Sequence, residues 1–184
     1  MAQRKNIARD DILLSAHALL ANVGFHGFSM RDLADEVGIS SASLHHHTPT
    51  KDEMATAVVQ RERDRLNKRL ASIGAEHEDW PRRRPELMQS LTETRLTAVL
   101  MAELAGLPPK CQAELRLLHS NLIGWLTRFA TEAIRRQEMP QNTEPETLAG
   151  TMLALAQGAA LYSTVAPVGP TWLLADLRPV TSAL

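Results

Sequence analysis

The chain has 184 residues, a formal net charge of −1 and 44% hydrophobic residues, which suits one domain or two small ones. It has no run of about eighteen apolar residues, so we predict no membrane span. The basic amino terminus lacks an apolar segment behind it, so we expect no secretory signal and a cytoplasmic protein. The single cysteine, Cys111, excludes an intramolecular disulfide and leaves a packed thiol or a sensor.

The charge pattern does not favour bulk attraction to nucleic acid. Residues 1–70 hold ten Lys and Arg against nine Asp and Glu, and residues 71–184 hold ten against twelve. Local placement is more informative, because Arg4, Lys5 and Arg9 form a short basic arm. Such an arm is either solvated or near a phosphate backbone.

The first predicted helix is amphipathic and ends at Gly24. Apolar residues recur at positions 12, 13, 16, 19, 20 and 23, which is helical spacing. This helix would support the segment that follows it.

Two short helices separated by a tight turn are predicted next. Ser29 can cap the first, with Asp32 as the reciprocal acid, and Gly38 can end it with a positive φ. Ser40 then caps a second helix, whose apolar anchor is Leu44. This pattern is typical of a helix-turn-helix that reads DNA, although it also describes any tight helical corner.

The side chains expected to contact DNA are short hydroxyls, imidazoles and two basic groups. Lys51 opposes the dipole of the next helix, so a phosphate contact is the more natural role for it. Three consecutive histidines suggest a metal site, but neighbouring residues on a helix diverge by about 100°, so DNA contact is favoured. The predicted contacts are Ser29, Arg31, Ser40, Ser41, Ala42, Ser43, His45, His46, His47 and Lys51.

The rest of the chain is predicted to be helical, with no strand, repeat or low-complexity tract. We expect a long helix over 50–73, a loop over 74–85 containing Pro81 and Pro85, and helices over 86–107 and up to residue 137. Another helix runs from 143 to 165, with Thr143 in a capping box, and a short one from 170 to 184. The 143–165 helix is rich in Ala and Gly, which allows a partner subunit to approach closely.

No catalytic motif, glycine-rich phosphate loop or metal-ligand spacing occurs, so we predict no enzyme, no catalytic residue, no cofactor and no bound metal. A ligand pocket is the better second function, because methionines and a tryptophan adapt to apolar guests. Core packing explains the same residues. The candidates are Met88, Met101, His119, Leu122, Trp125, Phe129 and Met152.

Residues 9–54 resemble the N-terminal DNA-binding domain of TetR-type repressors, including the pair Gly24 and Phe25 after the first helix. His45 and Thr48 stand where the family usually has tyrosine and phenylalanine. The later segment also resembles a branch that senses electrophiles through a cysteine, a position near Thr97 here.

The resemblance implies an all-α protein with an N-terminal three-helix domain containing the helix-turn-helix and a C-terminal helical ligand-binding and dimerisation domain. The expected division is 1–50 for DNA binding and 51–184 for regulation and dimerisation. The implied partners are a double-stranded DNA operator, a small-molecule inducer and a second copy of the chain. A ligand-independent DNA-binding protein and a helical interaction module are the alternatives.

Overall fold

A computed structural model describes residues 9–163 and 165, and these residues form helices and no strand. No helix among them is long and apolar enough to cross a membrane. Arg4 and Lys5 of the predicted arm, and the predicted helix over 170–184, lie outside the described residues. The elements are α1 (Arg9–Val23), α2 (Met30–Val37), α3 (Ser41–His47), α4 (Lys51–Glu76), α5 (Trp80–Thr92), α6 (Arg95–Ala102), a 3₁₀ turn (Leu104–Gly106), α7 (Pro109–Arg135) and α8 (Pro145–Tyr162).

The predicted helix-turn-helix is confirmed in its backbone. Ser29 Oγ accepts from the Asp32 N–H at 3.2 Å, and Asp32 Oδ2 accepts from the Ser29 N–H at 2.7 Å, so the capping box is complete. Gly38 has φ 76°, and its N–H reaches the carbonyls of Ala34 and Asp35. A side chain here would strain the left-handed turn that sends α3 away from α2.

One hydrophobic core joins the N-terminal and C-terminal helices. It extends from Ile12 on α1 to Ala159 on α8 without separating into two clusters. α1 packs against α2, α4 and α6, while α4 and α8 both pack against α7. The short helices α2 and α3 are therefore attached to the C-terminal helices through α1 and α4.

The predicted loop over 74–85 is wrong except at residues 77–79, because α4 continues to Glu76 and α5 begins at Trp80. Asp79 caps the helix by accepting from the Arg82 N–H at 3.0 Å, and Pro81 occupies a first-turn position where proline is tolerated. Arg83 is buried and donates to Glu132 Oε2 at 2.6 Å and to the Gly74 carbonyl at 3.2 Å. These tertiary contacts outweigh the local helix-breaking effect of the prolines.

Two other predicted boundaries are also wrong. The single helix over 86–107 is divided, because Thr94 is buried and its hydroxyl donates to the Leu91 carbonyl at 2.5 Å. A hydroxyl bonded to the preceding turn competes with helix continuation. α8 begins without the predicted Thr143 capping box, since its N-cap is Glu144 and no side chain caps it.

A buried carboxylate fastens α1 to α4. Glu62 on α4 is 2% exposed and accepts two bonds from Arg65, both at 2.8 Å. His17 Nε2 on α1 lies 3.7 Å from Glu62 Oε2. Burial opposes the charged form of Glu62, but the Arg65 and His17 contacts outweigh it and lower the pKa of Glu62 to about 2.

We expect Glu62→Gln to lower the free energy of unfolding at pH 7 by about 1–3 kcal/mol, because it removes a charge that Arg65 stabilises. The pKa of Glu62 is depressed on folding, so its stabilisation is present above pH 4.5 and is lost as the pH falls towards 2. Urea unfolding at pH 7 and pH 3 tests this. The difference from the unmodified protein should shrink at pH 3, whereas Asp64→Asn, on the exposed face of α4, should have little effect at either pH.

Candidate nucleic-acid interface

The exposed face of α3 is polar and compact. Leu44 is fully buried and is the only buried residue of this seven-residue helix. Ser41, Ala42 and Ser43 are exposed, as are His45 and His46. Short side chains on one exposed helix face allow the backbone to come close to base edges in a major groove.

The predicted contacts at the helix starts are already bonded within the protein. Ser40 Oγ accepts from the Ser43 N–H at 3.2 Å, which caps α3. Ser29 Oγ donates to Asp32 Oδ2 at 2.8 Å in addition to capping α2. Hydrogen bonds from the Ser29 backbone and side chain lower the pKa of Asp32, so this cap stays charged at neutral pH. Arg31 is exposed in the first turn of α2.

The three histidines point in different directions. His45 Nδ1 donates to the Pro49 carbonyl at 2.8 Å, so its ring turns towards the carboxyl end of the helix. The rings of His46 and His47 meet edge to face, with centroids 5.8 Å apart, and His47 is half-buried. His46 therefore has the most freely exposed imidazole of the three.

Lys51 packs against the corner between α1 and α2, residues 24–29. Its Nζ donates to the Phe28 carbonyl and lies 4.3 Å from the Phe28 ring centroid and 4.8 Å from that of Phe25. Burial lowers the pKa of Lys51, opposed by the charges of Glu103 and Asp32. The lysine therefore also packs inside the protein, and the phosphate contact expected from its position stays a prediction.

Thr48 is 2% exposed, and its hydroxyl has no hydrogen-bond partner. The residue ends α3, at a position where the resemblance expects phenylalanine. A buried hydroxyl without a partner costs stability. The departure from the family pattern thus leaves a small defect beneath the exposed helix.

The predicted ligand-binding residues do not come together. Met88, Leu122 and Met152 are at most 1% exposed, and Phe129 is 5% exposed, so these four fill the core. Trp125 is half-buried on α7, where the Arg128 guanidinium stacks 3.9 Å from its ring centroid. None of these five side chains lines the cavity described next.

Met101 and His119 nevertheless line one cavity. It has a volume of about 210 Å³ and lies where the 3₁₀ turn meets α7, with Leu104, Leu115 and Arg116 as its other lining residues. Leu104 and Leu115 make the floor apolar, while Arg116 and His119 supply polar groups at the edge. An apolar cavity with a few polar groups is the usual form of a small-molecule site.

Cys111 is a packed thiol. It is completely buried, and burial raises its pKa to about 11, so a reactive thiolate is not formed at neutral pH. Thr97, at the position of the sensor cysteine in the resembling branch, is buried and donates to the Thr94 carbonyl at 2.8 Å. Neither residue offers the chemistry of an electrophile sensor.

Sequence patterns did not predict the group formed by Glu76, His77 and Glu86, whose ligand atoms lie within 4.8 Å of one another. Glu86 Oε1 already pairs with His77 Nε2 at 2.6 Å, and Glu86 Oε2 accepts from Arg69 at 2.9 Å. Both oxygens of the Glu86 carboxylate are thus already hydrogen-bonded within the protein. The group joins the carboxyl end of α4 to α5.

The comparisons with known proteins agree with this geometry. The sequence pattern of the family described as bacterial regulatory proteins, tetR family, matches residues 12–58. The transcriptional repressor KstR2 of Mycolicibacterium smegmatis is 38% identical over 52 residues, which are 28% of this chain and 25% of that relative. Residues 12–58 of the chain therefore resemble the N-terminal domain of this family.

Wider likenesses cover the C-terminal helices. The nucleoid occlusion factor SlmA of Shewanella sediminis is 26% identical over 156 residues, 82% of this chain and 79% of that protein. A TetR-family regulator from Agrobacterium tumefaciens has the same fold, with a TM-score of 0.84, 24% identity and 96% of each chain covered. AibR, solved with isovaleryl coenzyme A and operator DNA, has a TM-score of 0.67 at 18% identity, over 83% of this chain and 85% of that one.

We expect Lys51→Ala to lower the free energy of unfolding by about 1–2 kcal/mol in the absence of DNA, because it removes a charged hydrogen bond and two cation–π contacts. Thermal or urea unfolding measures this loss. Lys68→Ala, which removes an exposed lysine from the same helix, is the matched control. Equal stability of the two variants would show that the Phe25 and Phe28 contacts contribute nothing.

Proposed function

We propose that the chain is a DNA-binding transcriptional regulator of the TetR family, acting as a repressor that a small molecule releases from its operator. The observation that carries this proposal is the exposed polar face of α3, held by the capped turn at Gly38 and Ser40 within the family-matched segment. The chain matches only about a quarter of the length of the KstR2 repressor, so the activity is proposed from the N-terminal segment and not from the whole relative. No enzymatic activity is proposed.

The proposed division of labour assigns residues 1–50 to DNA binding and 51–184 to regulation and dimerisation. Ser43 and His46 would meet base edges, since both are exposed on α3. Arg31, exposed on α2, would contact phosphate. Ser29 and Ser40 would act mainly by capping, and Lys51 by supporting the corner as well as by its charge.

A homodimer would present two copies of α3 to one duplex. The exposed side of α8 supports this, because small residues there are open to solvent while larger apolar ones flank them. Gly158 has nothing within 4 Å of the place where a side chain would begin. Leu161 and Tyr162 are 40% and 56% exposed, an apolar surface that a partner subunit could cover.

The cavity beside the 3₁₀ turn is the proposed inducer site. Met101, Leu104 and Leu115 suit a small, largely apolar molecule, and Arg116 and His119 can orient a polar group on it. AibR, a protein of the same fold, binds isovaleryl coenzyme A and operator DNA together. Such a ligand releases DNA only if it binds the DNA-incompetent arrangement more tightly.

Ligand-independent DNA binding is the second candidate. The likeness to SlmA spans 82% of the chain, and that protein is named for nucleoid occlusion. Thermal-shift screening of small organic molecules, followed by operator release, separates the two functions. A protein that binds DNA but is released by none of the molecules that stabilise it would favour this second candidate.

We expect the chain to select a pseudo-palindromic duplex from a random-sequence library, with Ser43→Ala and His46→Ala changing which duplex is preferred.

Lys51→Ala should instead lower the affinity for all duplexes by a similar factor, because its contact does not depend on base sequence. A log–log salt slope that flattens by about one unit per chain would show a direct phosphate contact for Lys51. Failure to select any duplex would contradict the proposed function.

We expect Ala154→Trp to weaken dimerisation at least tenfold, measured by analytical ultracentrifugation, because a bulky side chain on a close-packed interface overfills it. Ala154 is exposed on α8, whereas Ala159 is 2% exposed and a change there would disturb the core. Lys68→Trp, on the exposed side of α4, is the control. Normal dimerisation of Ala154→Trp would place the interface elsewhere.

A further inference from the structure

A carboxylate at the end of α6 is bonded to the corner between α1 and α2. Glu103 is half-buried, and its Oε2 accepts from the Phe25 N–H at 2.6 Å, across 78 positions of sequence. A short bond from a backbone amide to a charged oxygen is stronger than one between neutral groups. This bond directly joins the expected regulatory domain to the expected DNA-binding domain.

Two glycines allow the close approach. Gly24 has φ 75°, and a Cβ built there would lie 2.4 Å from Glu103 Oε1. On the opposite side, a Cβ on Gly106 of the 3₁₀ turn would lie 2.8 Å from His26 Nε2. Glu103 thus packs against Gly24, and His26 packs against Gly106. These two contacts hold the two backbones in one relative position.

The corner leads to the DNA-reading helix through Lys51. The rings of Phe25 and Phe28 hold the Lys51 ammonium, and Lys51 is the first residue of α4, four positions after α3 ends. The charge of Glu103 also acts on Lys51 and favours its charged form against burial. A displacement of Glu103 would therefore reach the junction of α3 and α4 through Phe25 and Lys51.

The sequence neighbours of Glu103 line the proposed inducer site. Met101 and Leu104, which lie on either side of it in sequence, line the 210 Å³ cavity together with Leu115, Arg116 and His119 of α7. A molecule that enters the space between the 3₁₀ turn and α7 would press on the segment that carries Glu103. The position of the Gly24–Phe25 corner would then depend on whether the cavity is occupied.

We propose that Glu103 is a positioning residue, through which occupancy of this cavity is coupled to the orientation of the helix-turn-helix. The coupling rests on the proposed function, because it assigns the route by which that site would release DNA. With the cavity empty, the bond from Phe25 holds the corner in the DNA-competent position. When the 3₁₀ segment moves away from α7, the bond is lost and the DNA-competent arrangement is less populated.

The first experiment observes the bond without DNA. In the ¹⁵N-labelled protein, the Phe25 amide proton should resonate downfield, because it is bonded to a carboxylate oxygen. Glu103→Gln should move this resonance upfield, and Glu144→Gln, an exposed change on the N-terminal side of α8, should leave it in place. A Phe25 amide with the same chemical shift in Glu103→Gln would overturn the assignment of the partner.

The second experiment tests coupling without a ligand. His119→Trp fills the cavity from α7 and stands for an occupied site, while Ala113→Trp places the same side chain on an exposed part of α7. We expect His119→Trp and Glu103→Gln each to lower affinity for the selected duplex about tenfold, the double variant to be no weaker than either, and Ala113→Trp to have no effect.

Additive losses in the double variant, or unchanged affinity in Glu103→Gln, would overturn the coupling. If Glu103→Gln fails to fold by circular dichroism, Glu103→Asp replaces it, because it keeps the charge but withdraws the oxygens. It should lose the Phe25 bond and reproduce the drop in affinity, and normal affinity with the bond lost would refute the proposal. Absence of DNA binding by the unmodified protein would refute the proposed function, while the Phe25 chemical shift would still report on the bond.

Discussion

The exposed reading face depends on the single buried side chain of α3. A helix of seven residues has too few internal hydrogen bonds to persist alone in water, so its neighbours must hold it. Leu44 packs it onto the core, Gly38 sets the direction in which it leaves α2, and Thr50 caps the helix that follows it. With only one inward residue, the other positions are available for polar side chains, which is what contact with a groove requires.

Because α3 buries only one side chain, its orientation depends on the contacts of the neighbouring helices. Lys51 lies between the helix-turn-helix and the corner at Phe25 and Phe28, and its ammonium packs against both rings. Glu62 fastens α1 to α4 from the other side. Both contacts involve α4, the helix that follows α3 in the chain.

Apolar side chains in the C-terminal helices are mostly used for packing. Met88, Leu122 and Met152 are buried without adjoining space, which follows from the need of each amphipathic helix to bury one face. Space remains where regular helix ends and a 3₁₀ turn begins, because the turn cannot fill the gap beside α7. The residues of a 3₁₀ turn can also move more readily than those inside a regular helix when a ligand binds beside them.

Short-range features of the sequence determined the DNA-binding domain. Caps and a left-handed glycine act over four or five residues, so Ser29 and Gly38 marked the boundaries of α2 correctly. Tertiary contacts decided the rest: Arg83 bonds to Glu132 on α7 and supports a helix where two prolines predicted a loop, and Glu103 meets Phe25 across 78 residues. Helical periodicity indicates which apolar side chains face inward. Whether such a side chain fills the core or lines a cavity depends on neighbours that are distant in sequence.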